Sequence, residues 1–339
     1  MTHLEGAAAQ VTRGGIAESW HRADVAVVRD TGQWVAWWDH PERISFFRSA
    51  AKPFQAAAAL TVGVAERFGL EEREIAVMCA SHSGAAMHLQ AVRSLLSKLG
   101  LTEEALQCGV HAPGDVETAR ELQRQGRSPQ PIHNNCSGKH AGMLAAALCL
   151  GADLGSYLVR EHPVQQRNWQ AIAALTHLPR EEIVLGIDGC GVPTFAVPVW
   201  RAAWAFAHLA RPEGAPEAYR PALATASAAM RAHPALVSSA GEFTARLMEA
   251  AEGAVVAKGG AEGMFCLGVV GAGIGVAVRV HDGSSRALPP LVLEVLAQLE
   301  LVEAAVLEKL APFRRPAVTN ARGETVGEII PTLTIQRQE

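Results

Sequence analysis

Apolar and polar positions change their period several times along the chain, and the changes mark its elements. Two short runs rich in valine and tryptophan, Asp24-Val-Ala-Val-Val28 and Gln33-Trp-Val-Ala-Trp-Trp38, flank the turn-forming Asp30-Thr-Gly32. That pattern predicts an N-terminal β-hairpin. After Pro53 comes an alanine-rich stretch, 54–60, a good helix former, and Pro53 itself fits a first helical turn, where amides lack intrahelical partners in any case. Apolar residues then recur at three- and four-residue spacing through 91–99, 140–150 and 163–175, which predicts helices, with Pro163 at the first position of its own. β-prone runs return at 253–257 and 265–280, the second closed by the turn signal Asp282-Gly-Ser-Ser285. A further helix is predicted over about 289–310, and Gly323 and Pro331 make the tail, 316–335, irregular or a short edge hairpin.

Strands at both ends of the chain enclose a long helical middle segment, about 54–250. The arrangement predicts an α/β fold, an antiparallel sheet of N- and C-terminal strands sandwiched by helices, as a single domain across 1–339. The proline-containing stretch 211–216 reads as a loop within that domain.

Composition narrows the function. With 339 residues and 49% apolar content the chain can bury a full core, which excludes a disordered class. Thirty basic residues against 34 acidic ones leave a net charge of -4, so no broad cationic field is available for nucleic acid or an anionic membrane, and a small substrate is expected. Residues 1–15 lack the basic start and apolar stretch of a secretory signal, and no apolar run reaches membrane-spanning length. A soluble, cytoplasmic protein is therefore expected, with its six cysteines reduced. Cys79, Cys149 and Cys266 sit in apolar runs, where a thiol behaves as a small hydrophobe. Cys136 and Cys190 lie instead among polar and turn-forming residues and need another account.

Candidate chemistry begins at Ser49-x-x-Lys52. At a helix start this spacing puts serine and lysine one turn apart on one face, where an amine can take the hydroxyl proton. A lysine does so only when its ammonium is disfavoured by burial or by a second cation. Lys258, among apolar residues and glycines in a predicted strand, is the candidate second cation. Between them, Ala80-Ser-His-Ser-Gly84 closes an apolar run with hydroxyls, as where a helix end opens onto a site. Ser-x-x-Lys alone is weak, since residue frequencies give about one or two chance matches in a chain of this length.

In combination these pieces are more specific. Phe47-Arg-Ser-Ala-Ala-Lys-Pro53, Cys79-Ala-Ser-His-Ser-Gly84, His133-Asn-Asn-Cys-Ser-Gly-Lys-His-Ala-Gly142, Gly186-Ile-Asp-Gly-Cys190 and Ala257-Lys-Gly-Gly-Ala-Glu-Gly-Met-Phe-Cys266 stand in order along the chain. Together they resemble the rhizobial-type L-asparaginase family, the asparaginase II group with a serine β-lactamase-like fold. The resemblance implies an amidohydrolase that converts L-asparagine to L-aspartate and ammonia through an acyl-enzyme. It implies Ser49 as nucleophile, Lys52 as its base, and Ser81 with Lys258 as a second Ser-Lys pair that relays protons and keeps Lys52 neutral. Analogy with the wider fold places the oxyanion on the backbone amides of Ser49 and Ala261.

The same resemblance implies a Zn2+ site at Cys136, Lys139 and Cys190, shaping the substrate pocket, and a homodimer. Arg48 and Asp188 supply the cation and anion that an amino-acid substrate needs, with His140 as a further binding residue. Gly259 departs from the family pattern, in which a threonine commonly follows the lysine. A broader glutaminase/asparaginase and a penicillin-binding-type serine acyl hydrolase are the alternative enzymes, and a zinc-dependent amino-acid binder is the non-catalytic one.

Overall fold

The computed structural model describes residues 6–338, and its largest sheet joins the two ends of the chain. Six antiparallel strands run in the order Gln336–Arg337, Trp34–Trp38, Ala23–Arg29, Ile274–Val280, Met264–Val269 and Val255–Gly259. The register sets Val27 opposite Val276 and Lys258 opposite Cys266. The fold class is the expected one, an antiparallel sheet from both chain ends with helices packed against it. The predicted hairpin is present as Ala23–Arg29 and Trp34–Trp38, turning through Gly32 at φ +83°. The β-prone run at 265–280 forms two strands, divided at Gly271 and Gly273, whose positive φ reverses the chain.

Helix Val199–Ala210 lies across this sheet at unusually short range. A side chain at Gly275 would begin 1.8 Å from the Ala203 carbonyl oxygen, and one at Gly268 would begin 2.4 Å from that of Phe206. Glycine at those two positions is what lets backbone meet backbone. From the same helix Phe206 packs against Phe47 and Phe54, with ring centroids 6.4 and 5.3 Å away. All three rings are fully buried, and burying a side chain of this kind contributes about 1.5–3 kcal/mol. They anchor the segment 47–54, which carries Ser49 and Lys52.

Several expectations need correction. The middle segment is not purely helical: its strands Pro193–Pro198 and Val184–Ile187 join Ile44–Phe46 from before it in a three-stranded sheet, too short and too interrupted by glycine and proline to show a period of two. Ala9–Arg13 and Ile16–His21, for which no strands were expected, form a four-stranded sheet with the tail strands Ala317–Thr319 and Thr325–Pro331, and of the two readings of the tail the hairpin is the one present. The helix expected over 289–310 is three, Leu288–Gln298, Ala304–Lys309 and Ala311–Arg314. Its break falls at Glu300, which takes φ +51° while the Leu301 amide reaches back to the Leu296 carbonyl, a helix C-terminus made without glycine. The helix expected from residue 91 begins earlier, as Ala86–Lys98.

Candidate active site

Strand Ile44–Phe46 delivers the chain to the site. The Phe47 amide donates to the Phe195 carbonyl at 2.8 Å, and Arg48 then adopts φ +51°, a left-handed conformation that costs a residue with a side chain about 1–3 kcal/mol. The reversal opens a 3-10 turn, Arg48–Ala51, which runs directly into helix Lys52–Leu60 with Pro53 in its first turn. Ser49 is half-buried on that turn, and its amide has no partner among the described residues.

The end of helix Glu72–Met78 forms a second wall, with Ser81 three residues beyond it. Helix Ser137–Leu150 packs on it so tightly that a side chain on Gly138 would begin 2.1 Å from the Val77 carbonyl oxygen. This contact brings Asn135, Cys136 and Lys139 up to Ala80 and Ser81. Lys52 is almost completely buried, with Nζ 2.7 Å from the Ala80 carbonyl oxygen, 2.9 Å from Ser81 Oγ and 3.3 Å from the Asn135 carbonyl oxygen. Ser49 Oγ has no hydrogen-bond partner among the described residues, and Lys52 engages Ser81 rather than its neighbour one turn away.

The third wall is the edge strand Val255–Gly259. Buried Lys258 holds Nζ 2.8 Å from Ser81 Oγ and 2.6 Å from the Gly259 carbonyl oxygen. Burial first, and the charge of Lys52 second, lower its pKa to about 7, although Cys136, Glu242 and Cys79 act in the opposite sense. A hydroxyl held between two buried lysine nitrogens, one poised near neutrality, can hand a proton from one amine to the other. The resemblance implied Ser81 and Lys258 as a second Ser-Lys pair, and Ser81 lies within hydrogen-bond reach of both Lys258 and Lys52. Just beyond, a side chain on Gly260 would begin 3.0 Å from the Phe47 carbonyl oxygen and 3.4 Å from the Ala50 amide nitrogen, so this strand end lies against the Ser49 turn. Ala261 follows, exposed, with an amide that has no partner among the described residues.

Arg48 Nε donates to Asp188 Oδ1 at 2.9 Å, so the two residues expected to hold an amino acid are adjacent. Burial acts to raise the pKa of Asp188, but Lys139, Arg48 and the Gly189 amide outweigh it and keep the carboxylate ionised. Behind this pair Lys139 Nζ stands 2.9 Å from Cys190 Sγ, and Cys136 Sγ lies 3.2 Å from Asn135 Oδ1. The neighbouring Cys190, then the charges of Lys52 and Lys139, hold Cys136 well below the ordinary thiol range despite its burial, while Cys136 and burial push Cys190 up. Cys136, Lys139 and Cys190 are all buried, and two sulfurs beside an amine form a donor set that suits tetrahedral zinc.

His140 is fully buried with Nδ1 2.8 Å from the Tyr157 hydroxyl, and its Nε2 has no partner among the described residues. Burial, then the charges of Lys139 and Lys52, keep that ring neutral. At Gly259 a side chain would begin 3.4 Å from Thr244 Oγ1, so a hydroxyl is present in that corner although Gly259 itself has none.

The structure thus gathers Ser81, Lys52 and Lys258 directly, sets Arg48 against Asp188, and brings Cys136, Lys139 and Cys190 together. Asn135 is the residue the sequence reading passed over. Its carbonyl accepts a hydrogen bond from Lys52 Nζ, its amide donates to His111 Nε2 at 2.9 Å, and its side chain faces Cys136. The signal available was an asparagine doublet just before Cys136, a turn composition that leaves backbone groups free. Among the described residues no helix is long and apolar enough to cross a membrane.

Over residues 9–331 the chain matches the family described as L-asparaginase II. A search of curated proteins found no match. Among solved structures, a β-lactamase from Mycobacterium bovis is 16% identical with a TM-score of 0.44, over 83% of this chain and 95% of that one. The structure of Mglu is 15% identical with a TM-score of 0.38, over 83% of this chain and 67% of that one.

Proposed function

The chain belongs to the L-asparaginase II family and is an asparaginase-type amidohydrolase; from that premise we propose that it hydrolyses L-asparagine to L-aspartate and ammonia through Ser49. The observation that carries the mechanism is the Ser81 hydroxyl between Lys52 and Lys258. The Arg48 guanidinium receives the α-carboxylate of the substrate and Asp188 its α-ammonium, their mutual ion pair opening to do so. Ser49 Oγ attacks the side-chain amide carbon as its proton passes to Lys52, with Ser81 and Lys258 taking up the proton in turn. The oxyanion is stabilised by the Ser49 and Ala261 amides. Collapse returns a proton to the departing nitrogen, releases ammonia and leaves an ester on Ser49. Water then attacks the ester by the reverse proton route, and aspartate leaves.

Zn2+ is proposed at Cys136, Lys139 and Cys190, where it would supply a fixed positive charge behind Asp188. The nucleophile and bases are residues of the chain itself. A homodimer in the cytoplasm completes the reading. The test is ammonia release from L-asparagine and L-glutamine by the wild type and by Ser49→Ala. Turnover of asparagine that disappears in the variant supports the proposal, and wild-type turnover in Ser49→Ala removes Ser49 as nucleophile. Glutamine is longer by one methylene, a difference worth about 1–3 kcal/mol of discrimination, so some glutaminase activity is expected beside the main one.

A further inference from the structure

Arg279 lies on the central strand Ile274–Val280, outside every motif described above, and is half-buried. No carboxylate pairs with it among the described residues. Its guanidinium is used to join two pieces of the site instead. Nε donates to Ser45 Oγ at 2.7 Å, and Nη1 donates to the carbonyl oxygens of Glu262 and Val280.

Both ends of this bridge lead to reacting groups. Ser45 is the middle residue of strand Ile44–Phe46, which passes through Phe47 and the left-handed Arg48 to Ser49. Glu262 belongs to the tight turn after Gly260, and Ala261 is its first residue. Glu262 and Gly263 both have positive φ, +60° and +69°, so the turn has an unfavourable residue near its tip. Besides the Arg279 contact, the turn is tied down by the Val280 amide, which donates to the Gly263 carbonyl at 2.8 Å, and closed by the Gly260 amide, which donates to the Met264 carbonyl at 2.8 Å. The Ser49 turn and the Ala261 turn come from opposite ends of the chain. Where they touch, at Gly260 against Phe47 and Ala50, there is backbone contact but, among the described residues, no hydrogen bond between them.

We propose that Arg279 is a positioning residue for the reaction: its guanidinium ties the strand that leads to Ser49 to the turn that carries Ala261, and so fixes their two amides relative to each other. The planar, forked donor set of arginine can reach Ser45 and Glu262 at once, whereas the single ammonium of a lysine can hold one or the other. The proposal rests on the reading of Ser49 as nucleophile. Its own content is that Arg279 acts on the transition state and leaves the bound substrate alone. A misplacement of about 1 Å between reacting groups costs on the order of 100-fold in rate, and an amide pair that drifts apart would lose stabilisation of the oxyanion alone.

The experiment compares wild type, Arg279→Lys, Arg279→Met and Ser45→Ala in asparagine hydrolysis. It also measures their affinity for L-aspartate β-semialdehyde, whose aldehyde adds the serine hydroxyl to give a tetrahedral hemiacetal, and for the product L-aspartate, which is planar at that carbon. Expected are a fall in kcat of about 10- to 100-fold in both Arg279 variants with KM within about threefold. Affinity for the aldehyde should fall in step with kcat while that for aspartate is retained, and Ser45→Ala should show a smaller loss of the same kind. Arg279→Lys keeps the charge and much of the stem, so it carries the test if Arg279→Met does not fold. Equal losses of aldehyde and aspartate affinity, or a lysine variant with wild-type kcat, would overturn the proposal. Ser49→Ala serves as the control for the underlying reading. If that variant still turns over, the nucleophile is wrong; if it is dead while Arg279→Lys is fully active, only the role of Arg279 falls.

Discussion

The Arg48 guanidinium and the Asp188 carboxylate hold each other at 2.9 Å, so the cation and anion that an amino acid would need neutralise one another until it arrives. Binding on this reading exchanges one ion pair for two. Asp188→Asn should raise KM for asparagine by about 10- to 100-fold, the effect of losing one charge-assisted contact worth about 1.5–3 kcal/mol, and should change kcat little. Steady-state kinetics measure this, and a selective loss of kcat would instead place Asp188 in the chemistry.

Lys258 has its pKa lowered to about 7 by burial and the nearby Lys52 charge, and the proton relay needs it as a free amine. Activity should therefore rise as pH increases through about 7 and be lost below it. The sign for stability is the same. The folded pKa lies below the ordinary lysine value of 10.5, so between the two the unfolded chain binds more protons and folding is favoured increasingly as pH rises. A kcat/KM profile for wild type, with Lys258→Met lacking the limb near 7, checks the assignment.

In the proposed mechanism Ser81 is the hinge of the relay and is not expected to bond covalently to substrate. Ser81→Ala should lower kcat by about 100- to 10,000-fold, the range for losing general acid–base assistance, with KM nearly unchanged. Trapping of the acyl group by rapid acid quench should still label Ser49 in this variant. A label that disappears with Ser81 and persists without Ser49 would exchange their roles.

For the thiol cluster, metal content is a cleaner readout than rate. Wild-type protein should take up one zinc ion per chain by mass spectrometry under non-denaturing conditions, and Cys136→Ser or Cys190→Ser should take up none tightly. Uptake unaffected by both substitutions would move the metal elsewhere.

Gly275 tests the architecture. An alanine there would place its methyl 1.8 Å from the Ala203 carbonyl oxygen, forcing helix Val199–Ala210 off the sheet. Gly275→Ala should cost about 1–3 kcal/mol, the usual range for overpacking, seen as a lower urea midpoint. If stability is unchanged, the close helix–sheet contact is not as described.

Sequence periodicity made the hairpin at Ala23–Arg29 and Trp34–Trp38 legible, because its turn and its β-branched runs are local signals. Local signals also placed Ser49 at a helix start. They could not place strand Val184–Ile187, whose exposed Ile187 and interior Gly186 give no alternation, nor the helix break at Glu300, where a charged residue takes a conformation usually left to glycine. The grouping of Ser81 with Lys52 and Lys258 depends on Gly138 allowing two helices to meet, and on strand register across most of the chain, neither of which a linear pattern encodes. Arg279 was invisible for a related reason: its partners are a serine hydroxyl and two carbonyl oxygens, and no pattern of residue types along the chain marks them.

The pairing of Ala23–Arg29 with Ile274–Val280 has a consequence for how the protein is made. During synthesis Ser49, Lys52, Ser81 and the cysteine cluster all leave the ribosome well before Lys258 does. The strand that seats beside the N-terminal hairpin and carries Arg279 emerges later still. Until then the early half holds a serine without its relay and a pocket missing one wall. Ammonia release should accordingly be among the last properties a newly made or refolding chain acquires, after its helices have formed and only once its two ends have met.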